Sequence, residues 1–408
     1  MDRKKFASNT VINVLGMVVY TAAQQLLIYP ILAKSMASDG YGRVLLLMGF
    51  CNICSIMFGT ALHNARLVVD IDYRKKGYNG DFAPLFVIAC ILDCIAVFGA
   101  TYFFDSNFNG SETSLLCILS ILETFRFYYS VKYMLALDFK KMFLQNLFYA
   151  IGAVVGIVIF SVFHTSWLVP FMCSALTACI YTVFSAKIKE DRFVWTPQVK
   201  KTLKVYLSFM VTLFLGNAIS YLDRLVLYPF MGGTDVAVYS TAVFFGKSIG
   251  ILLLPLSNVL LAYFAKRESI GRGTFVKLAL LFTGVGMVFY LLTLTGVAEW
   301  VTGILYPTLI EGAVPYIMVG NLAAIILGIS VMMQPAVMRF CSARWQPIIQ
   351  GVNIALSLGL GVVWLQSYGL MGFCVATVVA NLVKVIMMFV VGTVSLKTRK
   401  NVAIGIKP

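Results

Sequence analysis

Charge is scarce in this sequence, and acid is scarcer than base. Charged residues are 12% of the 408-residue chain, with 17 acids against 32 bases. A soluble globular domain carries about 25% charged residues, so this composition excludes ordinary soluble domains. Histidine occurs twice, and no group of His, Cys, Asp and Glu has metal-ligand spacing. The nine cysteines are scattered and mostly lie within apolar runs, for example Cys51, Cys54, Cys90, Cys94, Cys173 and Cys179. They read as small buried hydrophobes, with neither a metal site nor a secreted disulfide framework. No aromatic-interleaved basic patch exists to bind nucleic acid, although the net charge is +15. An anionic membrane surface accounts for the basic excess more simply. No connection is long enough to house a soluble catalytic module, and no cofactor motif is found. The expectation is a protein that is not an enzyme and uses no cofactor.

Apolar runs are abundant. A membrane helix needs about 20 mostly apolar residues, and the runs give twelve spans near 10–32, 43–64, 82–104, 113–137, 142–163, 167–186, 203–230, 236–262, 274–298, 313–338, 346–366 and 370–394. The segment 296–313, with Trp300, Tyr306, Pro307, Glu311 and Pro315, reads as an outer-face connection. Met1–Asn9 resembles a signal-peptide start, but the apolar run continues to Leu32 without a small-residue cleavage site, so an uncleaved first span is expected. Alternate loops hold 25 of the 32 basic residues, which places both termini and the Lys187–Lys204 connection in the cytoplasm. That connection falls midway along the chain. The expected organisation is a six-helix bundle over 1–190, a connection over 191–202, and a second six-helix bundle with a cytoplasmic tail over 203–408.

Eight charged residues lie inside these spans: Asp93, Glu123, Arg126, Lys132, Asp223, Arg224, Lys247 and Lys384. Five are cations and three are anions. Ionisable groups at such depths are expensive and usually face a bundle interior or a wet path. Glu123 and Arg126 are three residues apart and share a helical face. Asp93, at similar depth in the antiparallel neighbour, is placed to meet Arg126. The alternatives are a packing ion pair or a protonatable coupling site. Lys132 is near enough to the cytoplasmic end to snorkel out. Lys247 and Lys384 have no acid within a helical turn. Asp223 and Arg224 are adjacent, so they do not share a face. The candidate cargo contacts are therefore Arg126, Lys247, Lys384 and Arg224, and the candidate coupling residues are Asp93, Glu123 and Asp223.

Three stretches carry a family resemblance. Leu27, Tyr29, Pro30, Ile31, Leu32, Ala33 and Lys34, followed by Gly40, Tyr41 and Gly42, resemble the first hairpin of bacterial polysaccharide-exporting (O-antigen-type) flippases. This family belongs to the superfamily of multidrug, oligosaccharidyl-lipid and polysaccharide exporters. Asn217, Asp223, Arg224, Leu225 and Val226, then Gly232, Val236, Tyr239 and Ser240, resemble its seventh span and the following turn. Tyr368, Gly369, Leu370, Gly372, Ala376 and Ala380 resemble its last span. The resemblance implies an all-α polytopic fold of about 12 transmembrane helices, in two six-helix bundles around a central cavity. It implies translocation of an undecaprenyl-pyrophosphate-linked oligosaccharide across the bacterial inner membrane by alternating access. It also implies a role in O-antigen or related lipopolysaccharide biosynthesis, a proton or sodium as coupling ion, and a polysaccharide polymerase and chain-length regulator as partners. A cation-coupled multidrug or small-solute antiporter of the same superfamily is the alternative. It would favour acidic sites, whereas the interior charge here is cationic. The Gly-rich Asp–Arg loop of major-facilitator sugar transporters is missing from Leu67–Tyr78.

Overall fold

A computed structural model describes residues 3–403 apart from 79, 106–107, 187, 189–190, 266–268 and 343. The basic residues Lys187, Lys189, Lys266, Arg267 and Lys407, which helped set the expected orientation, lie outside the described residues. The described chain is helical, with no strand, and ten of its helical stretches are long and apolar enough to cross a membrane. This is a multi-pass membrane protein. Lipid offers no partner for backbone N–H and C=O groups, so each span satisfies its own by helix formation.

The first span is α1 (Arg3–Ala22), a π-helical turn (Ala23–Ile28) and α2 (Tyr29–Ser35). The second joins α3 (Ser38–Ser55) to α4 (Ala61–Lys76) through a π-helical turn at Ile56–Thr60. It runs about three turns past the sequence-based end at residue 64, because Arg66 is buried in a bonded site rather than in a solvated loop. Then come α5 (Phe82–Phe104), α6 (Gly110–Leu135), α7 (Phe139–Phe163) and α8 (Leu168–Ser185). Next are α9 (Val199–Ala242), α10 (Phe244–Ala265) and α11 (Arg272–Leu294). The chain ends in α12 (Val297–Leu305), α13 (Ile310–Phe340) and α14 (Trp345–Ala403). The 296–313 connection thus contains the short helix α12.

Two of these helices are far too long for one crossing. At about 1.5 Å per residue the 59 residues of α14 would extend roughly 90 Å, against about 30 Å of hydrocarbon. Both bend at a glycine in a conformation closed to other residues: Gly232 (φ 83, ψ −177) in α9 and Gly369 (φ 61, ψ −152) in α14. In α14 the chain folds back on itself, since Asn353 Nδ2 donates to Ala380 O at 3.1 Å and to Asn381 Oδ1 at 3.3 Å. The break between α9 and α10 at Val243 is clipped by Asn321 of α13. Its Nδ2 donates to Ala242 O (2.9 Å) and its Oδ1 accepts from Gly246 N (2.6 Å).

The chain comprises two compact units, Met1–Val236 and Ala237–Pro408. By packing, the helix from Val199 to the Gly232 bend belongs with the first unit, so this division falls beyond the 191–202 connection. In the first unit α3 is buried along most of its length. In the second, an apolar core joins α11, α13 and α14 through Phe275, Met333, Phe340, Ile349 and Met388.

Gly369→Ala is expected to cost about 1–3 kcal/mol, because a side chain is strained at that backbone geometry. Gly359→Ala, in a helical site with open space around it, is expected to be neutral or stabilising. Thermal unfolding of the two variants in detergent checks the contrast; equal effects would contradict the Gly369 hairpin.

Candidate functional site

Four cations of the first unit, Arg43, Arg66, Arg126 and Lys132, each meet a carboxylate. Arg126 is 4% exposed and Glu123 2%. Arg126 Nε and Nη2 donate to Glu123 Oε2 at 2.9 and 2.6 Å. The guanidinium lies 4.4, 4.3 and 4.9 Å from the ring centroids of Tyr20, Phe127 and Tyr149. Electron-rich ring faces attract a cation that has lost its water. The cage is itself tied down: Gln24, in the first π-helical turn, donates to the Tyr149 hydroxyl at 2.8 Å. Arg126 is thus held by its own helix and three rings.

Asp93 does not pair with Arg126. It is fully buried on α5 and accepts from Ser120 Oγ (2.9 Å) and Thr124 Oγ1 (3.2 Å), one turn apart on α6. Glu123 and Arg126 project from the adjacent face of α6, which directs them elsewhere. Among the described residues Asp93 has hydroxyls for partners and no cation. A carboxyl in that position bears either an uncompensated charge or a proton, which keeps it a coupling candidate.

Arg224 Nη1 donates to Leu45 O (3.1 Å), and its guanidinium is 5.4 Å from the Tyr221 ring centroid. Asp223 is buried beside it in sequence. Lys132 does not snorkel to water. Its Nζ lies 2.5 Å from Asp191 Oδ1, and Arg66 meets both Asp191 oxygens at 2.7 and 2.8 Å. Burial raises the affinity of Asp191 for its proton, but Arg66 and Lys132 outweigh it and hold the carboxyl below the usual range. At the opposite ends of these helices Arg43 bridges Asp105 (2.8 Å) and Glu112 (2.6 Å). Sequence reasoning missed these two clasps, whose partners are 59 to 125 residues apart.

The second unit is different. Fourteen of the seventeen acids lie in the first unit, and the second has Glu268, Glu299 and Glu311. No acid follows Glu311, so α14 has none and α13 has none beyond its first turn. Lys384 is 4% exposed and, among the described residues, has neither a hydrogen-bond acceptor nor an acid partner. Lys247 follows the Asn321-clipped break and places Nζ 5.9 Å from the Tyr239 ring centroid. Tyr239 in turn packs edge-on against Phe373 of α14 at 5.3 Å. Phe373 and Lys384 are 11 residues apart on one helix, about 16 Å along its axis. Lys247 and Lys384 are therefore two separate cationic positions. The acid-free run after Glu311 is a signal already present in the sequence.

Among solved structures, the chain has the fold of transporters of the MOP superfamily. It is similar to the lipid II flippase MurJ in an inward closed conformation, at TM-score 0.64 and 13% identity, covering 99% of this chain and 92% of that one. It is similar to an inward-facing multidrug resistance MATE family transporter of the MOP superfamily, at TM-score 0.62 and 13% identity, with 96% of each chain covered. A third similar structure is a MOP superfamily transporter from Pyrococcus furiosus, described as having a binding pocket of reversed polarity that suggests a different function. It matches at TM-score 0.62 and 14% identity, covering 97% of this chain and 96% of that one. No family model matches the sequence, and no curated protein does.

Glu123→Ala is expected to destabilise the protein by about 3–5 kcal/mol, because it strands a buried guanidinium. Glu123→Ala with Arg126→Met is expected to regain much of that loss. Unfolding of the single and double variants measures the coupling, and a silent single variant would contradict the ion pair. Because the folded Asp191 value is depressed, its clasp stabilises fully above the unfolded carboxylate value and is lost as pH falls through the folded one. Asp191→Asn should therefore lower the unfolding temperature by the same amount from pH 6 to 8. A deficit confined to the acid end would contradict the clasp.

Proposed function

We propose that this protein moves an undecaprenyl-pyrophosphate-linked oligosaccharide from the cytoplasmic to the periplasmic leaflet of a bacterial inner membrane, in O-antigen or related polysaccharide biosynthesis. The observation that carries the reading is the buried cation Lys384 in the nearly acid-free second unit. Lys384 has no acid partner among the described residues, and Lys247 leans on an aromatic ring, on helices that hold almost no acid. A buried ammonium without an acid is costly and tends to lose its proton, and an anion that meets it keeps it charged. Pyrophosphate and acidic sugars are such visitors, and cationic side chains bind them by charge-assisted hydrogen bonds. The polyprenyl tail stays in lipid while the polar head crosses. A solved neighbour is itself a lipid II flippase, which supports a lipid-linked cargo.

Lys247 and Lys384 are the first-choice cargo contacts in this account. Arg126 and Arg224 take a second place, because each is already held by groups of its own unit. Asp93, cation-free among the described residues, is the leading carboxyl for coupling to a proton or sodium, ahead of Glu123 and Asp223. Both termini are cytoplasmic, and a polymerase and chain-length regulator act on the exported product.

Deleting the gene should leave lipid-linked repeat units on the cytoplasmic side and reduce surface polysaccharide. Lys247→Ala should reproduce a large part of that export defect at normal expression. Unchanged polysaccharide without precursor accumulation would overturn the assignment, and a fully active Lys247→Ala protein would remove that contact.

A further inference from the structure

The α14 hairpin contains a cluster of polar groups with nothing to bond. Asn353 and Asn381 meet across it, Phe373 packs on Gly361, and the Trp364 carbonyl approaches Gly372. These contacts fix the register, in which each step forward on one arm is a step back on the other. One turn from the Asn353–Asn381 pair, Gln350 is therefore level with Lys384. Gln346, Gln350 and Asn353 recur at helical spacing on one face of the first arm. Gln346 Oε1, Gln350 Oε1 and Asn353 Oδ1 are all buried and, among the described residues, without a hydrogen-bond donor. Asn353 is 1% exposed and Lys384 4%. Facing arms thus present three acceptors without donors and, among the described residues, an ammonium without an acceptor.

Native proteins leave few buried polar groups unsatisfied, and each exception points to a missing water, ion or ligand. Here the chemistry that would complete these groups can be read from both sides. Lys384 requires an acceptor, preferably an anion, since no acid exists on either arm. The amide oxygens require donors. A pyrophosphate diester carries only acceptors, so it would meet Lys384 and amide N–H groups but leave the amide oxygens unbonded. A metal cation would satisfy the amides and repel Lys384. A pyranose bearing a carboxylate supplies both: its carboxylate for the ammonium and its ring hydroxyls for the amides.

We propose that Lys384, Gln350 and Asn353, with Gln346 at the margin, form a subsite for an acidic sugar. This deepens the function proposed above and rests on it for the reason such a sugar would enter the protein. The subsite predicts that the transported repeat unit contains a carboxylated residue.

The test uses the full-length protein in lipid nanodiscs and methyl β-glucuronide as the probe, with methyl β-glucoside, inorganic phosphate and sodium chloride as comparisons. Saturation-transfer NMR, suited to weak binding, measures affinity. The glucuronide is expected to bind about tenfold more tightly than the glucoside, which loses the charge-assisted bond. Lys384→Met should abolish that preference. Gln350→Leu should weaken both sugars several-fold while keeping the preference. Lys384→Met should also raise the unfolding temperature, because it removes an uncompensated buried charge; a fall would assign Lys384 a structural bond and overturn the subsite. Equal binding of the two sugars, stronger binding of phosphate, or stabilisation by sodium chloride that disappears in Gln350→Leu would also overturn it. Glucuronide binding by a protein whose deletion leaves no lipid-linked precursor behind would uphold the subsite and remove the flippase reading. Precursor accumulation with no glucuronide binding would do the reverse.

Discussion

A charge buried in a membrane protein has to be compensated within reach of its own side chain, and the two units of this chain meet that constraint differently. In the first, Arg43, Arg66, Lys132 and Arg126 each contact a carboxylate. In the second, Lys247 has a ring beneath it and Lys384 has no acid partner among the described residues. The asymmetry follows from composition, since fourteen of seventeen acids precede Ala237. The first unit spends its charge on internal cohesion. The second keeps Lys384 buried with no acceptor among the described residues.

That division also sorts the candidate residues. Arg126 has the chemistry of a cargo contact, but a carboxylate and three aromatic rings already do for it what cargo would. Arg224 is likewise engaged, with a main-chain carbonyl and a tyrosine ring. Lys384 is a stronger candidate than its ambiguous position in the span indicated, because orphaned amide oxygens share its level on the facing arm. Asp93 keeps its candidacy for a reason the sequence did not supply. Its partners are the hydroxyls of Ser120 and Thr124, so among the described residues no permanent countercharge faces it.

Much of the fold is legible in the chain. Long apolar runs give the crossings, Gly232 marks a bend in α9, and Gly369 marks the reversal in α14. The Glu123–Arg126 pair is legible because it is local, three residues apart on one helix. The Asp93–Arg126 pairing failed on facing: equal depth does not place two side chains on opposed surfaces. The clasps at Asp191 and at Arg43 were hidden by sequence separation, and Arg66 looked like one more loop cation. The cage of Tyr20, Phe127 and Tyr149 was hidden by abundance, because aromatics are 14% of the chain. The acid-free run after Glu311 was visible throughout, and it is the part of the sequence that bears most directly on function.

The central claim is that the cationic interior serves an anionic, lipid-linked cargo. Its most direct measurement is translocation by the purified protein in proteoliposomes. A polyprenyl-pyrophosphate oligosaccharide and an amphipathic organic cation would be presented in parallel, under a proton or sodium gradient. The account predicts leaflet exchange of the lipid-linked sugar and none of the cation. Export of the organic cation without movement of the lipid-linked sugar would contradict it.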